Sequence, residues 1–236
     1  MGLVINPYSL GSLGNDGYTK VLLHGDGTDT STTITDSNVG GSAHAWTARG
    51  NAQIDTADSK FGGASILYDG TGDWVDTPDH ADYTLGTSNF TVDLWFNWNG
   101  GTGVRGFLAG QGSSGGAVAD GSFIIEHQTT DKIRVGVCES TTLFAVISTT
   151  SISTTGWHHV ALVRTGNVLR LFLDGVQEGG DVAFTGTVND STEVLSVGAW
   201  GALATITMNG WIDEFRLSVG IARWTENVTP PTSAYA

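Results

Sequence analysis

The sequence is poor in the residues that would cross-link the chain or bind polyanions. Cys138 is the only cysteine, so no internal disulfide can form and the fold must depend on its hydrophobic core. Lysine and arginine together number 10 against 24 acidic residues, which gives a formal net charge of −14. Phosphate groups and anionic lipids both require clustered cations, so this balance argues against nucleic acid and an anionic membrane surface as partners.

Long apolar segments are also lacking. No run of the chain approaches the length of a transmembrane helix. The opening MGLVINPYSL has neither the basic residue nor the long apolar stretch of a secretory signal peptide. Asn6 stands where the myristoylation motif requires serine or threonine. We therefore expect no membrane partner, and export by some route other than a standard leader if the protein works outside a cell.

Proline is scarce and glycine is abundant, with 4 prolines and 34 glycines in 236 residues. Together with a charged content of only 14%, this composition indicates many short strands joined by tight turns. Strand-like stretches such as TKVLLHG, FTVDLWFNW and WIDEFRLS recur at short intervals, and no segment of about eleven residues has a helical period. The sequence therefore predicts an all-β fold in which antiparallel sheets pack face to face as a sandwich.

The chain divides into an arm and one body. Residues 1–18 alternate apolar residues with turn formers without a clear period, and we interpret them as an extended arm or docking segment. Residues 19–236 carry the recurring strands and are predicted to form a single β-sandwich domain. Cys138 lies in one of these strands, KIRVGVC, and is expected to be a small buried hydrophobe.

Two adjacent histidines, His158 and His159, open the hairpin GWHHVALVRTGNVLRLFL. Successive side chains of a strand point to opposite faces, so the two imidazoles cannot reach one ion. We interpret both as structural. No spacing typical of a zinc site occurs in the sequence.

The strand FTVDLWFNW has two different faces. Alternate residues of the range 90–98 form an apolar face that is predicted to be core. The other face carries Asp93, Trp95 and Asn97, and such a mixture of a ring, a carboxylate and an amide is typical of a sugar-binding surface. We predict that these residues bind carbohydrate, together with His127 from SFIIEH. The alternative is a solvent-facing sheet with one exposed tryptophan. Four other tryptophans fit core positions: Trp46, Trp98, Trp157 and Trp211.

Three blocks of the sequence together resemble a known family. They are KFGGASILYDGTGDWVDTPDHADYTLGTSNFTVDLWFNWNG, GWHHVALVRTGNVLRLFLDGV and NGWIDEFRLSVGIARWTENVTPPTSAY. In this order they resemble the laminin-G-like jelly roll of the concanavalin A-like lectin/glucanase superfamily, from about Leu22 to Tyr235. The resemblance implies an antiparallel two-sheet jelly-roll sandwich. Two segments, LLHGDGTD near the start and ARWTENVTPPTSAY near the end, most resemble the domains of this family that occur in phage and marine bacterial structural proteins.

Members of that family include glycan binders, adhesion modules and structural appendages, so the resemblance implies a function only loosely. It favours a non-catalytic carbohydrate-binding or adhesion module that serves as an accessory protein of a phage virion, in the capsid decoration or the tail. Such a protein would bind glycans or a host surface polysaccharide and contact other virion proteins through its arm. It would be located in the virion or outside the cell, and a homo-oligomer is compatible with this role. The alternative is a purely structural virion or cell-surface protein that makes protein contacts.

A glycoside hydrolase or lyase is a distant third interpretation. The glucanases of the superfamily use the motif Glu-x-Asp-x-x-Glu or a near variant, and no such spacing of acids occurs here. Asp213 and Glu214 are adjacent on a strand and are expected on opposite faces. The loop GQGSSGG at 110–116 matches the dinucleotide and nucleophile-elbow patterns formally, but no helix follows it. We therefore predict that the protein is not an enzyme.

The last strand, WIDEFRLS, places an acidic residue among apolar ones. Simple alternation puts Asp213 on the face of Trp211, Phe215 and Leu217, with Arg216 on the opposite face. A carboxylate that faces a core is costly unless it is paired or coordinates a metal. Asp213 is therefore a candidate metal ligand.

The segment GDGTDTSTTITD offers three further ligands for that metal, Asp26, Asp29 and Asp36. Calcium favours such oxygen-only sets. The resemblance supports pairing Asp26 with Asp213, because relatives often hold calcium at a loop edge, and we expect a structural Ca²⁺ at one rim of the sandwich. The alternative is that Asp213 accepts hydrogen bonds from backbone amides of an entering loop while Asp26 caps a turn.

Overall fold

A computed structural model of the protein describes residues 14–113, 116–152, 156–203 and 205–236. In these residues the chain is all-β, with two antiparallel sheets and two short 3₁₀ turns at Ala81–Tyr83 and Val118–Asp120. Sheet A consists of β1 (Thr19–Leu23), β3 (Gln53–Asp55), β4 (Ser65–Asp69), β6 (Phe90–Trp98), β11 (Trp157–Thr165), β12 (Val168–Leu173), β13 (Val176–Ala183) and β15 (Asn209–Val219). Sheet B consists of β2 (Thr47–Arg49), β5 (Trp74–Thr77), β7 (Gly106–Gln111), β8 (Phe123–His127), β9 (Lys132–Glu139), β10 (Thr142–Ser151) and β14 (Leu195–Val197).

Strands that are distant in the chain are neighbours in both sheets. Sheet A runs in the order β13-β12-β11-β6-β15-β4-β3, with β1 also paired to β15, and sheet B runs β10-β9-β8-β7-β14-β5-β2. All of these pairs are antiparallel. The jelly-roll sandwich predicted from the sequence is confirmed.

The inner faces of the two sheets form the main core. In β6 the alternation predicted from the sequence is present, since Phe90, Val92, Leu94 and Phe96 all lie in this core. Trp98 continues the same face and is buried. Cys138 is buried in a smaller apolar cluster, as predicted, and burial raises the pKa of its thiol to about 12.

A β-bulge interrupts β15. The register with β6 shifts between Asp213 and Arg216, and Glu214 has a φ of 52°. Phe215 and Leu217 consequently face the core, whereas Asp213 and Arg216 both lie on the outer face of sheet A, opposite Trp95 and Asp93 in register. The prediction that Asp213 shares a face with Phe215 and Leu217 is therefore wrong, because simple alternation does not hold across a bulge.

Two segments cover part of the outer face of sheet A. Residues 220–236, which contain no strand, place the buried rings of Trp224 and Tyr235 against it. The loop 56–64 between β3 and β4 places the Lys60 ammonium 3.8 Å from the centre of the Trp95 ring. The side chains on the rest of this face are less completely covered than those under these two segments.

The body of the domain begins earlier in the chain than predicted. The backbone N–H of Asn15 donates to the carbonyl of Ala236 at 2.8 Å. Asp16 forms an ion pair with Arg223 at 2.8 Å. The predicted boundary after residue 18 is therefore too late, because residues 14–18 pack against the C-terminal segment. Residues 1–13 of the predicted arm lie outside the described residues.

Within the described residues, no helix has the length and apolar character needed to cross a membrane.

Candidate functional site

One end of the outer face of sheet A contains a buried charge network. Asp93 and Arg216 are both fully buried, with Arg216 Nε 3.1 Å from Asp93 Oδ1. The hydroxyl of Tyr235 donates to Asp93 Oδ2, and the Arg216 guanidinium lies 3.6 Å from the centre of the Tyr235 ring. Burial acts to raise the pKa of Asp93, but Arg216, His159 and Tyr235 outweigh it and lower the pKa below its ordinary value. This end of the face is held closed by the C-terminal segment.

Trp95 lies next to this network and is also covered. Only 5% of the surface of Trp95 is exposed to solvent. Phe61 packs edge-on against its ring at 6.0 Å, and His159 lies 5.2 Å away on the neighbouring strand. A sugar cannot reach Asp93 and Trp95 as predicted, because the loop 56–64 and the C-terminal segment bury both residues.

His127 does not share a face with Trp95. It belongs to β8 of sheet B, it is fully buried, and its ring stacks on that of Trp98 at 4.2 Å in the core. Its Nδ1 lies 2.9 Å from the carbonyl oxygen of Val104. Burial lowers its pKa, so the imidazole is a neutral structural group. The predicted grouping of His127 with the β6 residues is wrong because the two strands lie in opposite sheets.

The two adjacent histidines are structural in different ways. His159 is buried on the outer face, between Trp95 and Trp224. His158 points to the other face, where its Nδ1 pairs with Asp174 at 2.7 Å. The prediction that the two imidazoles lie on opposite faces of the sheet is confirmed.

The other end of the outer face carries a row of three residues on adjacent strands. Asn97 of β6 is paired in register with Trp157 of β11 on one side and with Trp211 of β15 on the other. All three side chains are half-buried. Because neighbouring strands lie about 4.8 Å apart, the two tryptophan backbones are separated by roughly 10 Å. We call these residues the tryptophan row.

Carboxylates fix the orientation of the row. Trp157 Nε1 donates to Asp58 Oδ1 at 3.0 Å, and Asn97 Nδ2 donates to Asp58 Oδ2 at 2.7 Å. Trp211 Nε1 donates to Asp55 Oδ2 at 2.8 Å. The two indoles are thus held at their polar edges, and a ligand that packs against them meets apolar ring surface beside amide and carboxylate groups. Aromatic rings with a few oriented polar groups are typical of small-molecule binding sites.

The prediction that Trp157 and Trp211 are core residues is wrong, whereas that for Trp46 and Trp98 is confirmed by their burial. Alternation along β11 could have shown that Trp157 is not in the core. The core residues Val160 and Leu162 occupy even positions and Trp157 an odd one, so the Trp157 side chain points to the opposite face. Asn97, predicted as a binding residue, is the one member of the predicted set that lies in the row.

Asp213 lies between the closed end and the row. Its Oδ2 accepts hydrogen bonds from the backbone N–H groups of Lys60 and Phe61 at 2.8 and 3.0 Å. Its Oδ1 is buried and has no hydrogen-bond partner. Burial, together with the nearby charges of Glu214 and Asp26, raises the pKa of Asp213 to about 7. Backbone amides of an entering loop thus bind Asp213, as the first part of the alternative predicts.

The four predicted calcium ligands do not converge. Among the described residues, which include all four, no three of these aspartates bring their oxygens within 4.8 Å of one another. Asp36 Oδ1 accepts from the N–H of Leu22 at 2.9 Å and its Oδ2 pairs with His44 at 2.8 Å, so Asp36 is wrongly assigned to this site. Asp29 accepts from the N–H of Thr56 at 3.1 Å on an exposed loop. Of the other three aspartates, Asp26 contributes to the raised pKa of Asp213 through its charge.

Glu214 is bound on both carboxylate oxygens. Its Oε1 lies 2.7 Å from His24 Nδ1, and its Oε2 accepts from the N–H of Tyr235 at 2.9 Å. The hydrogen bond to Glu214 raises the pKa of His24. Asp213 therefore holds the loop 56–64 in place, and Glu214 holds the C-terminal segment at Tyr235.

Comparison with known proteins assigns the chain to a family. A family model described as the concanavalin A-like lectin/glucanases superfamily matches residues 69–221, well over half of the chain. No curated protein sequence matches the chain significantly.

Solved structures share the fold at low sequence identity. Domain 4 of a GH43 extracellular arabinanase from Geobacillus stearothermophilus, solved with arabinotriose, has a TM-score of 0.61 and 16% identity over 86% of this chain and 93% of its own. The binding domain of Botulinum Neurotoxin DC, solved with SialylT, has a TM-score of 0.62 and 13% identity over 86% and 48%. The binding domain of Paraclostridial Mosquitocidal Protein 1 has a TM-score of 0.60 and 13% identity over 87% and 49%. This chain spans about half the length of the two toxin domains.

Proposed function

Because the chain belongs to the concanavalin A-like lectin/glucanases superfamily, we propose that it is a non-catalytic carbohydrate-binding module that uses the tryptophan row as its binding surface. The observation that carries the proposal is the placement of Trp157 and Trp211 on either side of Asn97, with all three side chains partly exposed on one sheet face. Two structures that share the fold, domain 4 of the arabinanase and the neurotoxin binding domain, were solved with arabinotriose and with SialylT, which supports this function.

The chemistry of the row suits a neutral sugar. The apolar face of a pyranose or furanose ring packs on an indole, and its hydroxyl groups hydrogen-bond to amides and carboxylates. Asp55 and Asp58 stand beside the rings, and the chain as a whole has a net charge of −14. An acidic polysaccharide would be repelled by these charges, so neutral oligosaccharides are the expected ligand class.

A glycan array with the full chain tests this function. We expect binding to a small set of neutral oligosaccharides, and loss of that binding in Trp211→Ala. The matched control is Trp74→Ala, since Trp74 is a half-buried tryptophan of sheet B whose Nε1 also donates to a carboxylate, that of Asp76 at 2.6 Å. Absence of binding to every glycan, or equal loss in both variants, would contradict the proposal.

We further propose that this module is an accessory protein of a phage virion, in the capsid decoration or the tail. The support is the resemblance of LLHGDGTD and ARWTENVTPPTSAY to segments of phage and marine bacterial structural proteins. A purely structural role is the competing function. Tight binding to purified capsids or tails, with no signal on the array, would favour that role over glycan binding.

A structural calcium ion between Asp26 and Asp213 stays a proposal. The supporting observation is Asp213 Oδ1, a buried carboxylate oxygen without a hydrogen-bond partner. An oxygen of this kind suits a hard cation that prefers oxygen ligands, and water or backbone carbonyls of the loop 25–36 would complete the coordination.

A further inference from the structure

A group of metal-binding side chains lies outside both sheets and outside the tryptophan row. His44, His80 and Asp82 each offer one ligand atom, and these atoms all lie within 4.8 Å of one another. His44 precedes β2, and the other two residues flank the first residue of the 3₁₀ turn Ala81–Tyr83. Residues 36 positions apart in sequence thus meet because the fold brings two loops together.

His44 is oriented by a carboxylate behind it. Its Nδ1 lies 2.8 Å from Asp36 Oδ2, and the His44 side chain is only 4% exposed. Asp36 is itself fixed, because its Oδ1 accepts from the backbone N–H groups of Leu22 and Asn38 at 2.9 and 3.1 Å. With Nδ1 held by Asp36, the other ring nitrogen of His44, Nε2, is the atom that is available to an ion. Metal-binding histidines are commonly oriented by a carboxylate in this way.

The second ring nitrogen of His44, Nε2, points at the Asp82 carboxylate. His44 Nε2 is buried and makes no hydrogen bond, although Asp82 Oδ2 is only 3.2 Å away. His80 Nδ1 lies 3.3 Å from the same carboxylate oxygen. A cation placed among these atoms would give the buried His44 nitrogen the partner that it lacks.

The Asp82 carboxylate is held in place, because the backbone N–H of Ser42 donates to its Oδ2 at 2.6 Å. The cluster opens to solvent on the side of His80, whose side chain is 42% exposed. An ion can therefore reach the buried His44 nitrogen past His80.

We propose that His44, His80 and Asp82 bind a divalent transition-metal ion of the zinc class, with water as the fourth ligand. Two imidazole nitrogens and one carboxylate oxygen are a zinc-type set, whereas calcium prefers oxygen ligands alone. In a tetrahedral site with metal–ligand bonds of about 2.0–2.1 Å, neighbouring ligand atoms are separated by roughly 3.3 Å. The separations of 3.2 and 3.3 Å from Asp82 Oδ2 to His44 Nε2 and His80 Nδ1 match this value. To bind the ion, His80 Nδ1 would release the backbone N–H of Asp82, which donates to it at 3.1 Å. Asp36 then serves as the group that orients His44.

Titration calorimetry with Zn²⁺ on chelator-treated full-length protein tests the site. The test variant is His80→Asn, because asparagine is also a good residue before a helical turn and can replace His80 as acceptor for the N–H of Asp82, which now donates to His80 Nδ1 at 3.1 Å. The matched control is His158→Asn, which removes a histidine paired with a carboxylate, Asp174, at 2.7 Å elsewhere in the molecule.

We expect wild type and His158→Asn to bind one equivalent of Zn²⁺ with the same affinity, and His80→Asn to bind it at least about tenfold more weakly. Zn²⁺ should also raise the melting temperature of the first two proteins and not of the third. Co²⁺ should give the visible absorption of a tetrahedral site only where Zn²⁺ binds. The proposal is overturned if wild type shows no saturable binding, if His80→Asn binds as well as wild type, or if His158→Asn loses binding equally.

Discussion

The outer face of sheet A has two ends that use similar residues in different ways. At the closed end, Asp93 and Trp95 are buried under the C-terminal segment and the loop 56–64. At the other end, Asn97 stands between Trp157 and Trp211, and all three side chains remain partly exposed. A single strand, β6, supplies Asp93, Trp95 and Asn97 to both ends. The covering segments, and not the residue types, therefore decide which tryptophans stabilise the fold and which can meet a ligand.

The closed end depends most strongly on the Asp93–Arg216 pair. Asp93→Ala would leave the Arg216 guanidinium buried without its carboxylate, and breaking a buried pair in this way costs about 3–5 kcal/mol. We expect a loss of that size in the free energy of unfolding, measured by urea denaturation. Asp181→Ala is the control, since Asp181 pairs with Arg170 at 2.8 Å on the exposed surface and should lose less than about 1 kcal/mol. Equal losses in the two variants would show that the network does not close this end.

The tryptophans of the two ends should differ in their effect on stability. Trp95→Ala removes a buried ring and should cost about 3–5 kcal/mol. Trp157→Ala and Trp211→Ala should each cost about 1–2 kcal/mol, because these rings keep part of their surface in water. Urea denaturation of the three variants measures the difference. A cost for Trp157→Ala as large as that for Trp95→Ala would mean that the tryptophan row is core.

Asp213, between the two ends, should make stability depend on pH. Its pKa is raised from 3.8 to about 7 in the folded protein, so between these values the folded chain holds a proton that the unfolded chain has released. The free energy of unfolding therefore falls as the pH rises from about 4 to about 7. Asp213→Asn cannot ionise, and we expect it to melt at a higher temperature than wild type at pH 8, with the difference shrinking toward pH 4. A difference in melting temperature that stays constant from pH 4 to pH 8 would contradict this prediction.

Calcium gives the same experiment a second arm. If calcium binds between Asp26 and Asp213, excess calcium at pH 8 should raise the melting temperature of wild type above its value with chelator. Asp213→Asn should lack this increase. Superimposable wild-type curves under the two conditions would exclude the calcium ion while leaving the pH prediction intact.

The sequence predicted the sandwich well because strand alternation is a local property. The apolar face of β6 and the opposite faces of His158 and His159 follow from side-chain period alone. The same rule failed at Glu214, where an unpaired residue with positive φ shifts the phase of β15. A bulge of this kind has no strong signature in residue types, so Asp213 was placed on the wrong face.

Long-range contacts account for the remaining differences. Alternation identified the outward face of Asp93 and Trp95, but it could not show that Tyr235, far along the chain, covers it. The sequence did not reveal the cluster of His44, His80 and Asp82, because His44 comes from a loop that is distant in sequence from the other two residues. Asn97 was found because it lies on the predicted face at the end where the side chains remain partly exposed.

The most direct test of glycan binding by the tryptophan row is the ¹⁵N spectrum of the indole N–H groups. The chain has 8 tryptophans, and single substitutions assign their signals. When a neutral oligosaccharide that binds on the array is added in steps, the signals of Trp157 and Trp211 should shift together and give one dissociation constant. The signals of Trp95, at the closed end, and of Trp74, on sheet B, should stay in place. Shifts in Trp74 or Trp95 while Trp157 and Trp211 remain unchanged would contradict the assignment of the binding surface to the tryptophan row.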